Sequence, residues 1–102
     1  MSKYLFVYHG GRMEETPEAQ QAEMARWTEW YGKMGKAVVD GGAPVGPSST
    51  VASGGTSDGA ENAASGYTVI EAGSMEEACK HAQGCPILRQ GGNVEVAPIM
   101  EM

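Results

Sequence analysis

Two residues at the ends of predicted strands have side chains suited to proton transfer. His9 follows the apolar run 4–8, Asp40 follows the apolar run 37–39, and each precedes a pair of glycines. A histidine titrates near neutral pH, and a nearby carboxylate can orient its ring or accept a proton. The pattern therefore predicts His9 and Asp40 as a catalytic acid–base pair. The alternatives are a histidine that only closes its strand and an aspartate that forms a turn before glycines.

A second group of residues is suited to binding a planar or hydrophobic ligand. Aromatic rings offer flat contact surfaces, and hydroxyl groups after a Gly-Pro pair can donate hydrogen bonds to an anion. Aromatic residues at helical spacing also form ordinary core, which is the alternative interpretation. The predicted ligand-binding residues are Tyr8, Trp27, Tyr31, Ser48, Ser49 and Tyr67.

Charge and motif content argue against several classes of function. The net charge is −6 and the basic residues are scattered, whereas nucleic acids and anionic membranes require a basic face. No phosphate-binding glycine motif is present, and the histidines and cysteines lack the spacing of metal ligands, so we expect neither a cofactor nor a metal. The first apolar run is too short for a signal peptide or a membrane span, which predicts a cytoplasmic protein with reduced thiols. Cys79 is then expected in the core, and Cys85 is reactive if it is exposed.

The elements that must position these residues follow from hydrophobic periodicity. Strands are predicted at 4–8, from residue 36 to between 40 and 45, at 50–52, at 67–72 and at 94–100. Thr16 and Pro17 open a first helix whose apolar stripe is Met24, Trp27, Tyr31 and Met34. Ser74 and the glutamates after it open a second helix. The order predicts an α+β, ferredoxin-like βαββαβ fold, an antiparallel sheet with two helices on one face.

Two further features concern the surface of this single domain of residues 1–102. Residues 53–65 are rich in glycine and serine and hold no large apolar side chain, which predicts a flexible loop. The first strand is apolar on both faces, but the helices of such a fold cover only one. A second copy packed sheet to sheet would cover the other face, so we expect a homodimer.

Several segments of the chain together carry a resemblance to a known family. They are Lys3 to Tyr8, Gly66 to Ala78, Gly84 to Pro86 and Gly92 to Ile99. These segments resemble the YCII-related (DGPF) family, whose members are similar to dimeric α/β-barrel proteins. The Asp58-Gly59 pair occupies the place of the first two letters of the DGPF signature, although Ala60-Glu61 replaces its Pro-Phe.

One branch of the family has a helix histidine proposed to pair with an aspartate. Only that aspartate has a counterpart here, Asp40, so the resemblance implies the fold more firmly than a reaction.

Three functions remain open at this point. The first is an enzyme that acts on a small polar organic molecule by acid–base chemistry. The second is a non-catalytic module that binds a small ligand in the same cleft. The third is an interaction domain whose dimer surface is itself the function.

Overall fold

The first strand, β1 (Ser2–His9), shows on which side of the sheet the core lies. A computed structural model of the protein describes residues 1–101. Tyr4, Phe6 and Tyr8 are buried on one face of β1, whereas Leu5 and Val7 remain half-buried on the other. Because side chains alternate along a strand, the two sets point in opposite directions. One face is therefore covered by the rest of the domain, and the other is an open sheet face.

The remaining elements complete a two-layer domain. In chain order they are α1 (Pro17–Met34), β2 (Val38–Pro44), β3 (Ser49–Ala52), β4 (Gly55–Asp58), β5 (Ala64–Ala72), α2 (Met75–Ala82) and β6 (Asn93–Pro98), with short 3-10 helices at Gly35–Ala37 and Pro86–Gln90. The main sheet has the order β2-β5-β1-β6 with antiparallel neighbours. This is the predicted ferredoxin-like order, with β6 and its Pro98 on an edge.

The two helices begin at the residues that the sequence predicts. The Thr16 side chain accepts a hydrogen bond from the Ala19 amide. At α2, the Ser74 hydroxyl accepts from the Glu77 amide while the Glu77 carboxylate accepts from the Gly73 amide. Both caps satisfy amides that the helix leaves without partners.

The buried face of α1 differs from the predicted stripe. Met34 is buried as expected, and Trp30 is buried as well, but Met24 is 70% exposed, and Glu23 takes its place on the inner face. Residues 23, 27, 30 and 34 share one side of a helix at this spacing. The prediction of a buried Met24 is therefore wrong by one position, and the correction places a carboxylate at the edge of the core.

The segment predicted as the loop 53–65 contains regular structure. Residues 55–58 form β4, which pairs with β3 in an antiparallel hairpin, and β5 begins at Ala64 rather than at residue 67. Every residue of β3 and β4 is exposed. Backbone pairing forms this hairpin without a buried apolar side, so the hydrophobic pattern gave no sign of it.

The strand β2 bends around Gly42. Its pairing with β5 shifts register between Asp40 and Ala43, and Gly42 has a φ of 70°. An added Cβ at Gly42 would lie 1.7 Å from the carbonyl oxygen of Tyr67. Only glycine allows this approach together with this backbone conformation.

Replacing Gly42 with alanine should lower the free energy of unfolding by about 3 kcal/mol, because the methyl group clashes with β5 and the φ is unfavourable for alanine. Urea unfolding of the purified variant measures this loss. Gly41→Ala is the matched control, since an added Cβ at Gly41 meets no atom within 4 Å and its φ is not positive. Equal stability of the two variants would contradict the described bend.

Candidate functional site

A cleft of about 840 Å³ opens beside the middle of α1, the bend of β2 and the first half of β5. The loop after β1, residues 10–14, forms another of its walls. The volume is in the range of small-molecule sites. Four of the predicted ligand-binding residues line it: Tyr8, Trp27, Tyr31 and Tyr67.

The aromatic side chains of the cleft pack against one another. The ring of Trp27 meets Tyr8 edge to face, with centroids 5.1 Å apart and planes at 87°. Tyr31 lies on the next turn of α1, and its ring centroid is 6.1 Å from that of Trp27. Edge-to-face pairs hold their rings in fixed orientations, so this wall is a rigid apolar surface.

A buried hydroxyl network lies beneath the aromatic wall. The Tyr8 hydroxyl donates to Oγ1 of Thr68 at 2.7 Å, and Thr68 in turn donates to the Gly41 carbonyl at 3.0 Å. The Tyr31 hydroxyl lies 3.0 Å from the same Thr68 oxygen and 3.2 Å from the Gly41 carbonyl. Burial raises the pKa of the Tyr8 phenol, so it stays protonated at neutral pH and keeps its hydrogen bond to Thr68.

One buried carboxylate also lines the cleft, and the sequence interpretation missed it. Glu23 is 9% exposed, and its Oε2 accepts a hydrogen bond from Arg26 at 2.9 Å. Its Oε1 has no hydrogen-bonding partner among residues 1–101. The signal was present in the sequence, because Glu23 is spaced four and seven residues before Trp27 and Trp30 on the buried face of α1.

His9 lies outside the cleft lining. Its side chain is buried, with Nε2 2.9 Å from Oε1 of Glu95 and Nδ1 3.2 Å from the Ala63 carbonyl. Glu95 stands opposite Val7, on the open sheet face. Neither the Glu95 carboxylate nor the Ala63 carbonyl has a proton to donate. A ring that carries a proton on each nitrogen can therefore satisfy both contacts. The pKa of His9 is raised, mainly by the hydrogen bond to Glu95. Burial has the opposite effect and lowers it.

The structure does not bring Asp40 and His9 together. Asp40 pairs with Val69 on β5, whereas His9 pairs with Ala64 on the other side of β5. Two strand spacings, about 10 Å, therefore separate their strands, and four further residues separate them along β1. The Asp40 side chain instead accepts a hydrogen bond from the Gly42 amide at 2.9 Å. This is the turn-forming role that the sequence left open as the alternative.

The other predicted polar residues also lie away from the cleft. Ser49 is exposed on β3, and neither Ser48 nor Ser49 is among the cleft-lining residues.

Cys85 is 2% exposed, and burial raises the pKa of its thiol to about 12, so it is not a reactive thiolate at neutral pH. Within residues 1–101 no cluster of three metal-ligating side chains occurs. None of the helices described is both long and apolar enough to cross a membrane.

Comparison with known proteins agrees with the architecture. The family model of the YCII-related domain matches residues 1–102. The chain belongs to the YCII-related family. No curated protein matches it.

A solved structure of similar fold is 5-chloro-2-hydroxyhydroquinone dehydrochlorinase (TftG) from Burkholderia phenoliruptrix AC1100, in complex with 2,5-dihydroxybenzoquinone. The two chains are 14% identical, with a TM-score of 0.59, and the match covers 98% of this chain and 95% of that one. At this identity the likeness shows a shared fold and does not transfer an activity.

Replacing Thr68 with valine should destabilise the protein by about 1–3 kcal/mol, because the buried Tyr8 hydroxyl loses its acceptor. The double variant Tyr8→Phe/Thr68→Val should lose less than the sum of the two single variants, since both partners are then gone. Urea unfolding of the four proteins measures the difference. Strict additivity would show that the two hydroxyls do not interact.

The His9 contacts predict a specific pH dependence. The pKa of His9 in the folded state is raised above the ordinary value, so its contribution to stability is complete below a pH of about 6.5 and is lost as pH rises through the folded-state pKa. Titration of the His9 ring by NMR should show the raised pKa, and Glu95→Gln should lower it. An unchanged His9 pKa in Glu95→Gln would contradict the assigned contact.

Proposed function

We propose that this protein is an enzyme that binds a small planar polar organic molecule in the cleft and acts on it by acid–base chemistry. The observation that carries the proposal is the convergence of a fixed aromatic wall and a buried carboxylate on one cleft. An apolar wall with few polar groups is the usual composition of a small-molecule site. A carboxylate in such surroundings is a candidate proton acceptor.

The predicted binding residues have distinct roles in this proposal. Trp27 and Tyr31 offer ring faces and edges to a planar ligand. Tyr67 borders the cleft on β5, but it stands opposite Val7, so its ring points toward the open sheet face. The ring of Tyr8 packs edge to face against Trp27 and fixes the orientation of the indole. The Tyr31 hydroxyl, which lies next to Thr68, can share its remaining lone pair with a ligand.

The structural neighbour supports the proposed class of ligand. TftG is named as an enzyme that acts on a chlorinated hydroxyhydroquinone, and its structure holds 2,5-dihydroxybenzoquinone. Both are small, planar and polar. The aromatic wall of the present cleft suits a ring of this kind.

A non-catalytic ligand-binding module is the second candidate. It is favoured by the positions of His9 and Asp40, since neither predicted catalytic residue lines the cleft. If either residue takes part in chemistry, it acts from outside the cleft described here. Binding without proton transfer is the property that separates this candidate from the enzyme.

Addition of 2,5-dihydroxybenzoquinone, the compound bound by the neighbour, should raise the melting temperature, because a ligand that binds only the native state stabilises it. The protein should also speed the exchange of the ring hydrogens of this compound with deuterated water, which mass spectrometry follows. Trp27→Leu should weaken binding by about tenfold, the loss expected for one aromatic contact with its buried area.

Leu88→Ala is the matched control, because Leu88 is an exposed apolar residue outside the cleft and its loss should leave binding unchanged. A thermal shift without faster exchange would favour the binding module. No thermal shift with any planar polar ring would count against both candidates.

A homodimer formed through the open sheet face is also proposed. Leu5, Val7 and Val69 form an apolar band on this face, since Leu5 stands opposite Val69 and next to Val7 on the same side of β1. An apolar strip on a sheet is stable when another layer covers it. A second copy supplies the same strip and is self-complementary.

Leu5→Glu should convert the dimer to a monomer, because it places two buried like charges across the interface. Sedimentation velocity at micromolar concentration measures the mass. Val51→Glu, on the exposed hairpin, should remain dimeric. If the native protein is monomeric under these conditions, the proposed homodimer is wrong.

A further inference from the structure

The loop between β1 and α1 places Arg12 on the cleft. Gly10 and Gly11, with φ angles of 71° and 82°, turn the chain out of β1, and Arg12 follows them directly and lines the cleft. Two successive residues in the left-handed region favour glycine. An added Cβ at Gly11 would lie 3.0 Å from the Ile87 side chain, so the turn packs closely against the segment that follows α2. The start of the loop is therefore held in place by the domain.

Glu14 anchors the other end of this loop. Its carbonyl oxygen accepts a hydrogen bond from the Gln20 side chain at 3.0 Å, and its carboxylate accepts one from the Gln90 side chain at 3.2 Å. Gln20 belongs to α1 and Gln90 to the second 3-10 helix, so Glu14 ties the loop to two elements. Arg12 thus lies between two fixed points. Both glutamines also line the cleft, and each amide nitrogen keeps a second N–H for another acceptor.

Arg12 carries the only positive charge among the described residues that line the cleft. Its side chain is exposed, and none of the ion pairs within residues 1–101 includes it. The two carboxylates of the cleft are already engaged, Glu23 with Arg26 and Glu14 with Gln90. A guanidinium group presents a planar fork of donors that matches a carboxylate. This end of the cleft therefore offers hydrogen-bond donors, whereas α1 offers the aromatic wall.

We propose that Arg12 is a specificity-determining residue that binds the carboxylate of a planar aromatic acid whose ring lies against Trp27. The proposal rests on the proposed function, because it requires that a planar molecule occupies the cleft. It adds the class of ligand, an aromatic carboxylate, and the residue that selects it. A bidentate contact between arginine and carboxylate also fixes the orientation of the acid, so the ring is held against the wall in one direction.

An anionic ligand fits this end of the cleft better than a cationic one. The protein as a whole carries a net charge of −6, but charges farther away than about 8 Å are largely screened at physiological salt, so the nearby groups decide. The charge of Glu23 is paired with Arg26, and the Glu14 carboxylate accepts a bond from Gln90. A cationic ligand would meet the unpaired guanidinium of Arg12 and be repelled by it.

Three matched probes test the proposal by titration calorimetry. They are 2-naphthoate, 2-naphthamide and the 2-naphthylmethylammonium ion, which share one ring system and differ in charge. The native protein should bind the naphthoate about tenfold more tightly than the amide, the worth of a hydrogen bond to a charged group. Equal binding of naphthoate and amide, or tighter binding of the ammonium ion, would overturn the proposal while leaving the cleft as a binding site. Failure of all three to bind would overturn the proposed function as well.

A pair of variants assigns the preference to Arg12. Arg12→Met keeps the length of the side chain but removes its charge and donors, so it should bind naphthoate and naphthamide within about twofold of each other. Arg89→Met is the matched control, because Arg89 is an exposed arginine outside the cleft lining and its loss changes the net charge equally. This control should keep the tenfold preference. Retention of the preference in Arg12→Met, or its loss in both variants, would refute the role of Arg12.

Discussion

The hydroxyl of Thr68 is the contact on which the geometry of the cleft depends. It lies on β5 and is fully buried, and it connects Tyr8 of β1, Tyr31 of α1 and the Gly41 carbonyl of β2. Four elements therefore meet at one oxygen in an apolar surrounding. Since a buried hydroxyl must find partners, this network fixes where α1 stands over the sheet and where β2 bends. The aromatic wall and Glu23 are both carried by the helix that this network holds.

The two faces of the sheet have different chemistry. The face under α1 holds the cleft, the protonated Tyr8 and the Glu23 carboxylate. The open face holds the His9–Glu95 pair beside the apolar residues Leu5 and Val7. When His9 is protonated this pair is charged, and a charged pair beside an apolar strip can fix the orientation of two copies at the proposed interface.

Local patterns predict where the helices begin, and the order of the elements predicts the fold, but neither predicts which distant side chains meet. The caps at Thr16 and Ser74 depend on contacts within four residues, so their types and spacing predicted both helix starts. The spacing of Glu23 before Trp27 and Trp30 puts it on one side of α1 with them, but tertiary packing decides that this side faces the sheet. The separation of His9 and Asp40 depends on strand order, since β5 lies between their strands. The hairpin of β3 and β4 is held by backbone bonds, for which side-chain patterns carry little information. Aromatic residues were found more easily, because rings at helical spacing mark a face of α1 whatever its exact rotation.

The proposed function depends on binding of a planar polar ring in the cleft beside α1. Chemical-shift mapping by NMR during addition of 2,5-dihydroxybenzoquinone tests this binding most directly. The largest shifts should occur at the amides of Gly41 and Gly66 and at the indole of Trp27, with little change at Val96 and Ala97 on the edge strand. Shifts confined to the open sheet face or to the hairpin, with the cleft unaffected, would contradict it.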